Sequence, residues 1–250
     1  MNVGNSHETT RIDEIADGIY RISSRIPPSV IPNGFTFNQF LIDDEEPLLF
    51  HTGGRRLFDA TADAIGRVVP VDRLRWIAYS HFEPDECGAM NQFLAAAPRA
   101  QPLCGRIGAM VCMPDYADRG ARALADGETL ELGRHTVEWI DAPHVPHGWD
   151  CGLMAETQTR TLFCGDLFTQ FGDRHEPLTE GDILGPSEDA RKALDYFAHG
   201  PASPAVIERL AGGDPKTLAC MHGTSFQGDG AALLRALGSA LQPSQKVSEN

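Results

Sequence analysis

Four separate stretches of the chain have the apolar character of β-strands, and each runs directly into a side chain that commonly binds metal ions. The four stretches are residues 74–80, 137–143, 161–165 and 217–221. The side chains at their ends are His81, His144, Asp166 and His222. Strand ends are rigid places where side chains from distant parts of a chain can converge. The pattern therefore predicts a metal centre, with enough ligands for two ions.

The first of these strand ends carries a dense group of potential ligands. His81 is followed by Glu83, Asp85 and Glu86, so that three carboxylates fall within five residues. After a strand, His81 and Glu83 point the same way, while Asp85 and Glu86 turn with the loop towards a neighbouring point. Taken singly, Asp85 is also a helix N-cap and Glu86 an acidic residue of a first helical turn. The whole set, beginning with a histidine, favours metal ligation instead.

The order of predicted elements indicates one α/β domain over residues 1–250, with a core from about 15 to 241. Two β-rich halves follow one another, and each is followed by helices without a Ser/Gly/Pro-rich linker between them. The predicted strands and hairpins are residues 18–23, 35–42 with 47–50, 102–104, 128–132 with 135–140, and 151–156 with 160–163. The predicted helices are residues 57–68, 86–97, 106–113, 187–198, 204–211 and 229–241. The pattern suggests two packed sheets flanked by helices, and a disordered polar tail over residues 242–250.

Composition limits the partners and the compartment. The formal net charge of −14 argues against nucleic acid or an anionic membrane as a partner, because proteins bind both through clustered Lys and Arg. No run of about eighteen apolar residues occurs, which argues against a membrane span. The six cysteines form no C-x-x-C pair, so their spacing suits neither a zinc knuckle nor a disulfide framework. With no apolar secretory segment at the N-terminus, we expect reduced thiols in a cytoplasmic protein.

The ligand order resembles a known signature. His81-x-Glu83-x-Asp85, a strand-end His, the Asp of Gly165-Asp166 and the late His222-Gly223 pair together resemble the metal motif of the metallo-β-lactamase superfamily. Glu83, in place of a second histidine, is similar to the flavodiiron proteins and their stand-alone oxygen-binding diiron relatives. Residues 37–42 and 143–146 resemble two further segments of that family, and the likeness covers about residues 15–240. The resemblance implies a four-layer αββα sandwich.

Carried over residue by residue, the resemblance implies the ligands of two iron ions. One ion would be held by His81, Glu83 and His144, and the second by Asp85 and His222. Asp166 would bridge them. At the position of Glu86 the family usually has a histidine, so either Glu86 ligates as a carboxylate or the second site is weaker.

The chemistry of these side chains suits hard metal ions. The four carboxylates of Glu83, Asp85, Glu86 and Asp166 carry the charge that neutralises two divalent cations. An environment of carboxylates and imidazoles suits iron or manganese better than ions that prefer thiolates. Zinc also accepts these ligands, so the sequence leaves zinc open as an alternative.

Two further histidines are candidates for a role in catalysis. His147, three residues after His144, is an alternative ligand, a group beside bound oxygen, or a solvated loop residue. His51 ends a strand where many members of the superfamily carry Asp. It either makes a hydrogen bond that supports the ligand loops or serves as a satisfied structural histidine.

The resemblance implies a non-haem diiron protein that binds or reduces dioxygen, or nitric oxide, or that serves as an oxygen sensor. No flavin phosphate loop is visible, so the expected FMN-free chain would take electrons from an external flavoprotein or another donor. The alternative is a dizinc hydrolase of an ester, thioester or phosphodiester, in which the ions lower the pKa of a bridging water. Glu83 and Glu86 weaken that alternative, since such hydrolases normally have histidines there. A third interpretation is a structural relative that has lost its metal, and homodimers are common in the resembled family.

Overall fold

The computed structural model describes residues 10–242, in which two seven-stranded sheets form successively along the chain. The strands of the first sheet lie side by side in chain order: β1 (Thr10–Ala16), β2 (Ile19–Ile26), β3 (Phe35–Ile42), β4 (Leu48–Phe50), β5 (Trp76–Ala78), β6 (Gln101–Gly105) and β7 (Arg122–Leu124). Pairing is antiparallel from β1 to β4 and parallel from β4 to β7.

The second sheet has a different order. Its strands are β8 (Thr129–Glu131), β9 (Thr136–Asp141), β10 (Gly152–Glu156), β11 (Thr161–Phe163), β12 (Leu178–Thr179), β13 (Thr217–Ala219) and β14 (Ser225–Gln227). Across the sheet they run β12-β14-β13-β11-β10-β9-β8. Strands β11 and β13 are parallel neighbours, which places the loops that follow them at the same edge of the sheet.

Seven α-helices accompany the sheets in the described part of the chain. They are α1 (Phe58–Ile65), α2 (Pro84–Cys87), α3 (Met90–Ala96), α4 (Met113–Tyr116), α5 (Leu184–Leu194), α6 (Ser203–Gly212) and α7 (Gly230–Ala240). Short 3-10 turns cover Arg55–Leu57 and Val71–Arg73, and a π-helical turn covers Gly108–Cys112.

Three apolar cores divide the molecule into four layers. Between the sheets, the ring of Phe163 lies 5.6 Å from that of Phe40 and 5.2 Å from that of Phe50. Helices α1 and α3 pack on the outer face of the first sheet, and α6 and α7 on that of the second. Because each sheet is covered on both faces, its strands are apolar on both sides: Leu41 faces the helices, while Ile42 faces the other sheet. The αββα sandwich predicted from the sequence is confirmed.

Several element boundaries differ from the prediction. The segment predicted as one helix over residues 86–97 is two helices, α2 and α3, which are separated at Gly88. A Cβ atom on Gly88 would lie 2.1 Å from the carbonyl oxygen of Pro84, so the chain passes too close to itself there for any other residue. Strand β1 was not predicted, because its exposed edge position lets polar residues such as Arg11 alternate with buried ones. The predicted disordered tail lies outside the described residues beyond Gln242.

No helix within residues 10–242 combines the length and the apolar character needed to cross a bilayer.

Candidate metal centre

Loops from both sheets deliver acidic and imidazole side chains to one point between the sheets. The first sheet contributes the loop after β5 and helix α2, and the second contributes the loops after β9, β11 and β13. The structure brings together six of the side chains predicted as metal ligands: His81, Glu83, Asp85, Glu86, Asp166 and His222. Three of the four predicted strand-end residues, His81, Asp166 and His222, thus lie in one cluster.

One half of the cluster is a group of four residues. Potential ligand atoms of His81, Glu83, His147 and Asp166 all lie within 4.8 Å of one another. The Nε2 atom of His147 is 3.2 Å from Oε1 of Glu83 and 3.3 Å from Oδ2 of Asp166. The Nε2 atom of His81 is 3.7 Å and 3.4 Å from the same two oxygens. Two nitrogens and two oxygens therefore surround a first metal position.

The other half of the cluster is richer in oxygen. Ligand atoms of Glu83, Asp85 and Glu86 lie within 4.8 Å of one another. His222 adds a nitrogen, since its Nε2 atom is 3.5 Å from Oδ2 of Asp85 and 3.1 Å from Oδ1 of Asp166. Asp166 therefore turns one oxygen towards the His222 side and the other towards His81, as a bridging carboxylate would.

The structure does not bring His144 into the cluster. Its side chain is exposed and belongs to neither group of potential ligands within residues 10–242. His144 has a left-handed backbone conformation (φ 64°), and its N–H donates to the carbonyl of Gly148 at 2.7 Å. This tight loop turns the chain so that His147, rather than His144, lies against Glu83 and Asp166.

The three clustered imidazoles are held in the same way. The Nδ1 atom of His147 donates to the carbonyl of Tyr196 at 2.9 Å, and that of His222 donates to the carbonyl of Thr36 at 2.8 Å. Since a carbonyl can only accept, both rings carry their proton on Nδ1 when neutral and present the lone pair of Nε2 to the cluster. His81 likewise turns Nδ1 to the protein, at 3.0 Å from Oγ of Ser80. Such outer hydrogen bonds are typical of metal-binding histidines.

His51 belongs to the same hydrogen-bond network as His81 and Ser80. Its Nε2 atom lies 3.0 Å from Oγ of Ser80, the same hydroxyl that contacts His81. His51 is fully buried, and burial holds its pKa well below the ordinary value, so its ring is neutral. The structure places His51 behind the ligands, where it contacts the cluster through Ser80.

Backbone contacts fix the loop that carries the four first-sheet ligands. The N–H of Phe82 donates to Oδ2 of Asp150 at 3.0 Å. The carbonyl of Glu86 accepts from the N–H of Thr52 at 2.7 Å. Gly148, with φ 78°, passes close by, and a Cβ atom there would lie 3.1 Å from Cβ of His81. The ligands are therefore held by backbone of both sheets.

Charges within the cluster are strongly coupled. Hydrogen bonds from His147 and His81 lower the pKa of Glu83 to about 2. Burial lowers the pKa of His222, but the carboxylates of Asp166 and Asp85 outweigh it and raise the pKa to about 10. Burial, together with the charges of Asp166, Asp85 and Glu83, raises the pKa of Glu86 well above its ordinary value. The cluster therefore concentrates negative charge that positive charge, on an imidazole or on a metal ion, stabilises.

The ligand atoms fit a pair of divalent ions because several of them have no other partner. The Nε2 atom of His81 and both carboxylate oxygens of Glu86 are buried without a hydrogen-bond partner among the described residues. Unpaired buried polar atoms are costly and therefore rare. Several such atoms converge here on one point, where four carboxylates also meet. That arrangement is what two bound cations would satisfy.

The side chains of the cluster differ in their exposure to solvent. The side chains of Glu83 and Asp85 are 45% and 27% exposed, whereas that of Glu86 is fully buried at the base. Beside Asp85 lies a cleft of about 510 Å³, which Ile26, Phe37 and Leu57 help to line. The ring of Phe37 is also 5.4 Å from the ring of His222. The cleft therefore borders the oxygen-rich half of the cluster at Asp85, and its wall combines apolar side chains with Arg55 and Arg56.

Three residues that support the ligands were missed by sequence reasoning. Ser80 and Thr36 contact His81 and His222. Tyr196 accepts from His147 through its carbonyl, and its hydroxyl donates to the carbonyl of Asp166 at 3.1 Å. Ser80 was detectable as the neighbour of a ligand. Thr36 and Tyr196 act on the imidazoles through backbone carbonyls, which leave no signal in residue type.

Comparison with known proteins supports this description. The model of a family described as ODP family beta lactamase matches residues 35–223, which include every clustered side chain. Among curated proteins, a diflavin flavoprotein of Thermosynechococcus vestitus is 28% identical over 190 residues, covering 70% of this chain and 33% of that protein. Rubredoxin-oxygen oxidoreductase of Megalodesulfovibrio gigas is 25% identical over 206 residues, covering 79% of this chain and 50% of that protein. The chain thus spans between a third and half of the length of these relatives.

Solved structures share the fold. A metal-soaked flavodiiron core from Synechocystis superimposes with a TM-score of 0.80 at 20% sequence identity. The match covers 93% of this chain and 60% of that chain.

Proposed function

This chain belongs to the ODP β-lactamase family, and from that premise we propose that it is a non-haem diiron protein which binds or reduces dioxygen or nitric oxide. The resemblance to flavodiiron proteins seen in the sequence is confirmed by this family model and by the curated relatives. One matching relative is an oxidoreductase for oxygen by its name. A flavodiiron-like domain is therefore the premise, and the reaction is the proposal.

The observation that carries the proposal is the split contact of Asp166. Its Oδ2 atom lies 3.4 Å from His81 and its Oδ1 atom 3.1 Å from His222. A carboxylate whose two oxygens face two separate sets of ligand atoms is arranged for two adjacent ions.

In this proposal each ion has its own side chains. His81, Glu83 and His147 would hold the first ion, and Asp85 and His222 the second, with Asp166 between them and Glu86 at the buried base of the cluster. A pair of ferrous ions, when bound, supplies the electrons that a single metal centre would lack for reduction of dioxygen. The preponderance of carboxylate ligands supports iron or manganese over softer ions.

The residues of the chain supply the rest of the site. The imidazoles of His147 and His222 are locked by the carbonyls of Tyr196 and Thr36, so their Nε2 atoms need no rearrangement when an ion arrives. The cleft beside Asp85 is lined by apolar side chains together with Arg55 and Arg56, so it has room for a small neutral ligand and also offers charged groups at its wall. The electrons would come from an external flavoprotein or another donor.

The hydrolase alternative gains no support from the relatives. The two curated relatives described above are a flavoprotein and an oxygen oxidoreductase by name. The six cysteines are all free thiols, which supports a reducing compartment such as the cytoplasm.

Anaerobic reconstitution with ferrous iron tests the proposed function. We expect two irons per chain by elemental analysis, a change in the visible spectrum on exposure to oxygen, and oxygen uptake when a reduced flavoprotein is supplied. The His144→Ala variant is a control that should behave like native protein, because His144 is a nearby histidine outside the cluster. Zinc-loaded protein that hydrolyses a thioester or phosphodiester, together with iron-loaded protein inert to oxygen and nitric oxide, would overturn the proposal.

A further inference from the structure

We propose that Glu86 is a second carboxylate bridge beside Asp166, and that the protein therefore takes up its two metal ions as a pair. The inference rests on the proposed dinuclear centre and concerns how that centre is filled. It follows from the position, burial and surroundings of the Glu86 side chain.

Glu86 lies against ligands of both ions. Its Oε1 atom is 3.7 Å from Nε2 of His81, which belongs to the first metal position. Its carboxylate also lies within 4.8 Å of the ligand atoms of Glu83 and Asp85, and Asp85 contacts His222 of the second position. Glu86 thus lies beside ligand atoms of both positions.

The burial of Glu86 explains why both of its oxygens need a cation. The residue is fully buried, and neither Oε1 nor Oε2 has a hydrogen-bond partner in the described part of the chain. A ligand that used one oxygen would leave the other buried and unsatisfied, at a substantial cost in free energy. A bridge uses both oxygens, one on each ion.

The backbone of Glu86 prevents the side chain from avoiding this position. Its carbonyl accepts from the N–H of Thr52 at 2.7 Å and from the Thr52 hydroxyl at 3.2 Å. Its own N–H donates to the carbonyl of Glu83 at 3.2 Å, within the first turn of helix α2. Thr52 is itself fully buried, so the point from which the carboxylate extends is fixed.

Charge then links the two ions. Four carboxylates meet in the cluster, and one divalent ion would balance only half of their charge. The buried carboxylates of Glu86 and Asp166 would then share a single cation, which is unfavourable for the oxygens that it leaves unpaired. Because both bridges serve both positions, the second ion satisfies oxygens that the first leaves unpaired. Binding of the first ion should therefore favour binding of the second.

The test is titration of metal-free protein with Mn(II), read by equilibrium dialysis and electron paramagnetic resonance. With native protein at one Mn(II) per chain, we expect the signal of exchange-coupled pairs in about half of the molecules, and little signal from isolated bound ions. Glu86→His keeps a ligand but offers only one donor atom to the cluster. We expect this variant to fill one position first and to show isolated Mn(II) at the same loading.

Two further variants make the result decisive. Glu86→Gln keeps the shape of the side chain and removes the buried charge, so it should fold without metal and also lose paired filling. Glu131→Gln removes the same charge from an exposed position on strand β8 and should fill like native protein. Stepwise filling of native protein, including the case in which Glu86 chelates one ion with both oxygens, would overturn the inference, as would paired filling of both Glu86 variants.

Failure of this inference is separable from failure of the proposed function. Paired uptake of Mn(II) without any reactivity of the iron form towards oxygen or nitric oxide would count against the proposed function alone. Oxygen reduction by protein that fills stepwise would count against the Glu86 bridge alone.

Discussion

The Nε2 atom of His222 lies 3.1 Å from the Oδ1 atom of Asp166, and this contact is set by strand register. In the parallel pair β11–β13, Phe163 lies opposite Ala219. Asp166 and His222 each follow three residues after these paired positions. The two ligands therefore meet because equal lengths of chain leave neighbouring strands at the same edge of the sheet.

Asp166→Asn should remove more metal than any other single substitution in the cluster. An amide can still accept through its oxygen, but its NH₂ group cannot ligate, so one of the two contacts of the bridge is lost. We expect affinity for both ions to fall by more than the about 10- to 100-fold typical of an outer hydrogen-bond partner. Elemental analysis after dialysis measures the bound metal, and Asp173→Asn, in the same loop but paired with Arg25 outside the cluster, serves as control. Retention of two ions by Asp166→Asn would show that Asp166 is not a bridge.

His147 and His144 should behave in opposite ways. His147→Ala removes a nitrogen from the first metal position, so we expect loss of metal there and of any oxygen-dependent spectrum. His144→Ala changes an exposed side chain outside the cluster and should alter stability by no more than about 0.5 kcal/mol. Metal content and the visible spectrum of both variants show which of the two histidines is needed for metal binding. The reverse pattern would restore His144 as the ligand.

Ser80→Ala should weaken metal binding without removing a ligand. The hydroxyl lies 3.0 Å from both Nδ1 of His81 and Nε2 of His51. Without it, the His81 ring is no longer held in one orientation. We expect metal affinity to fall by about 10- to 100-fold, while Ser80→Thr, which keeps a hydroxyl, should lose less. Competition with a chelator gives both affinities. If Ser80→Ala binds metal as tightly as native protein, the Ser80 hydroxyl has no role in orienting the His81 ring.

Glu156 should stabilise the metal-free protein in a pH-dependent way. Burial raises its pKa, but hydrogen bonds from the Thr159 hydroxyl and from the N–H groups of Gln158 and Thr159 outweigh burial, and the pKa lies below its ordinary value. The charged carboxylate therefore contributes stability above the pKa of an unfolded glutamate, about 4.3, and this contribution is lost as the pH falls through the lower folded pKa.

Glu156→Gln should consequently lower the free energy of unfolding by about 1–3 kcal/mol at pH 7, because its NH₂ group faces donors. The difference from native protein should shrink below about pH 4. Urea unfolding of chelator-treated protein at several pH values measures this difference in the free energy of unfolding. A deficit that stays constant down to the lowest accessible pH would exclude the ionised carboxylate as its cause.

The sequence allowed the layers of the fold and most of the cluster to be predicted, because both depend on residue type and strand ends. His81, Asp166 and His222 end apolar stretches that could hardly be anything but strands. The choice between His144 and His147 could not be made in this way. It depends on the left-handed conformation of His144 and the turn that Gly148 closes, which are properties of the folded loop.

The sequence placed Glu86 among the candidate ligands, but its full burial could not be predicted. As a residue type in a first helical turn it favours helix stability from an exposed position. Its burial follows from the short helix α2 and the break at Gly88, which a continuous helical pattern concealed. The contacts of Thr36 and Tyr196 with the imidazoles are made by carbonyls that every residue possesses, so only the fold reveals them.

The two sheets are made from consecutive portions of the chain, β1–β7 within residues 10–124 and β8–β14 within residues 129–227. Ligands come from both portions, with His81 on one side and His222 on the other. A bound pair of ions is then a reversible cross-link between two successive lengths of polypeptide. Removing the metal should loosen the attachment of one half of the molecule to the other as well as abolish reactivity.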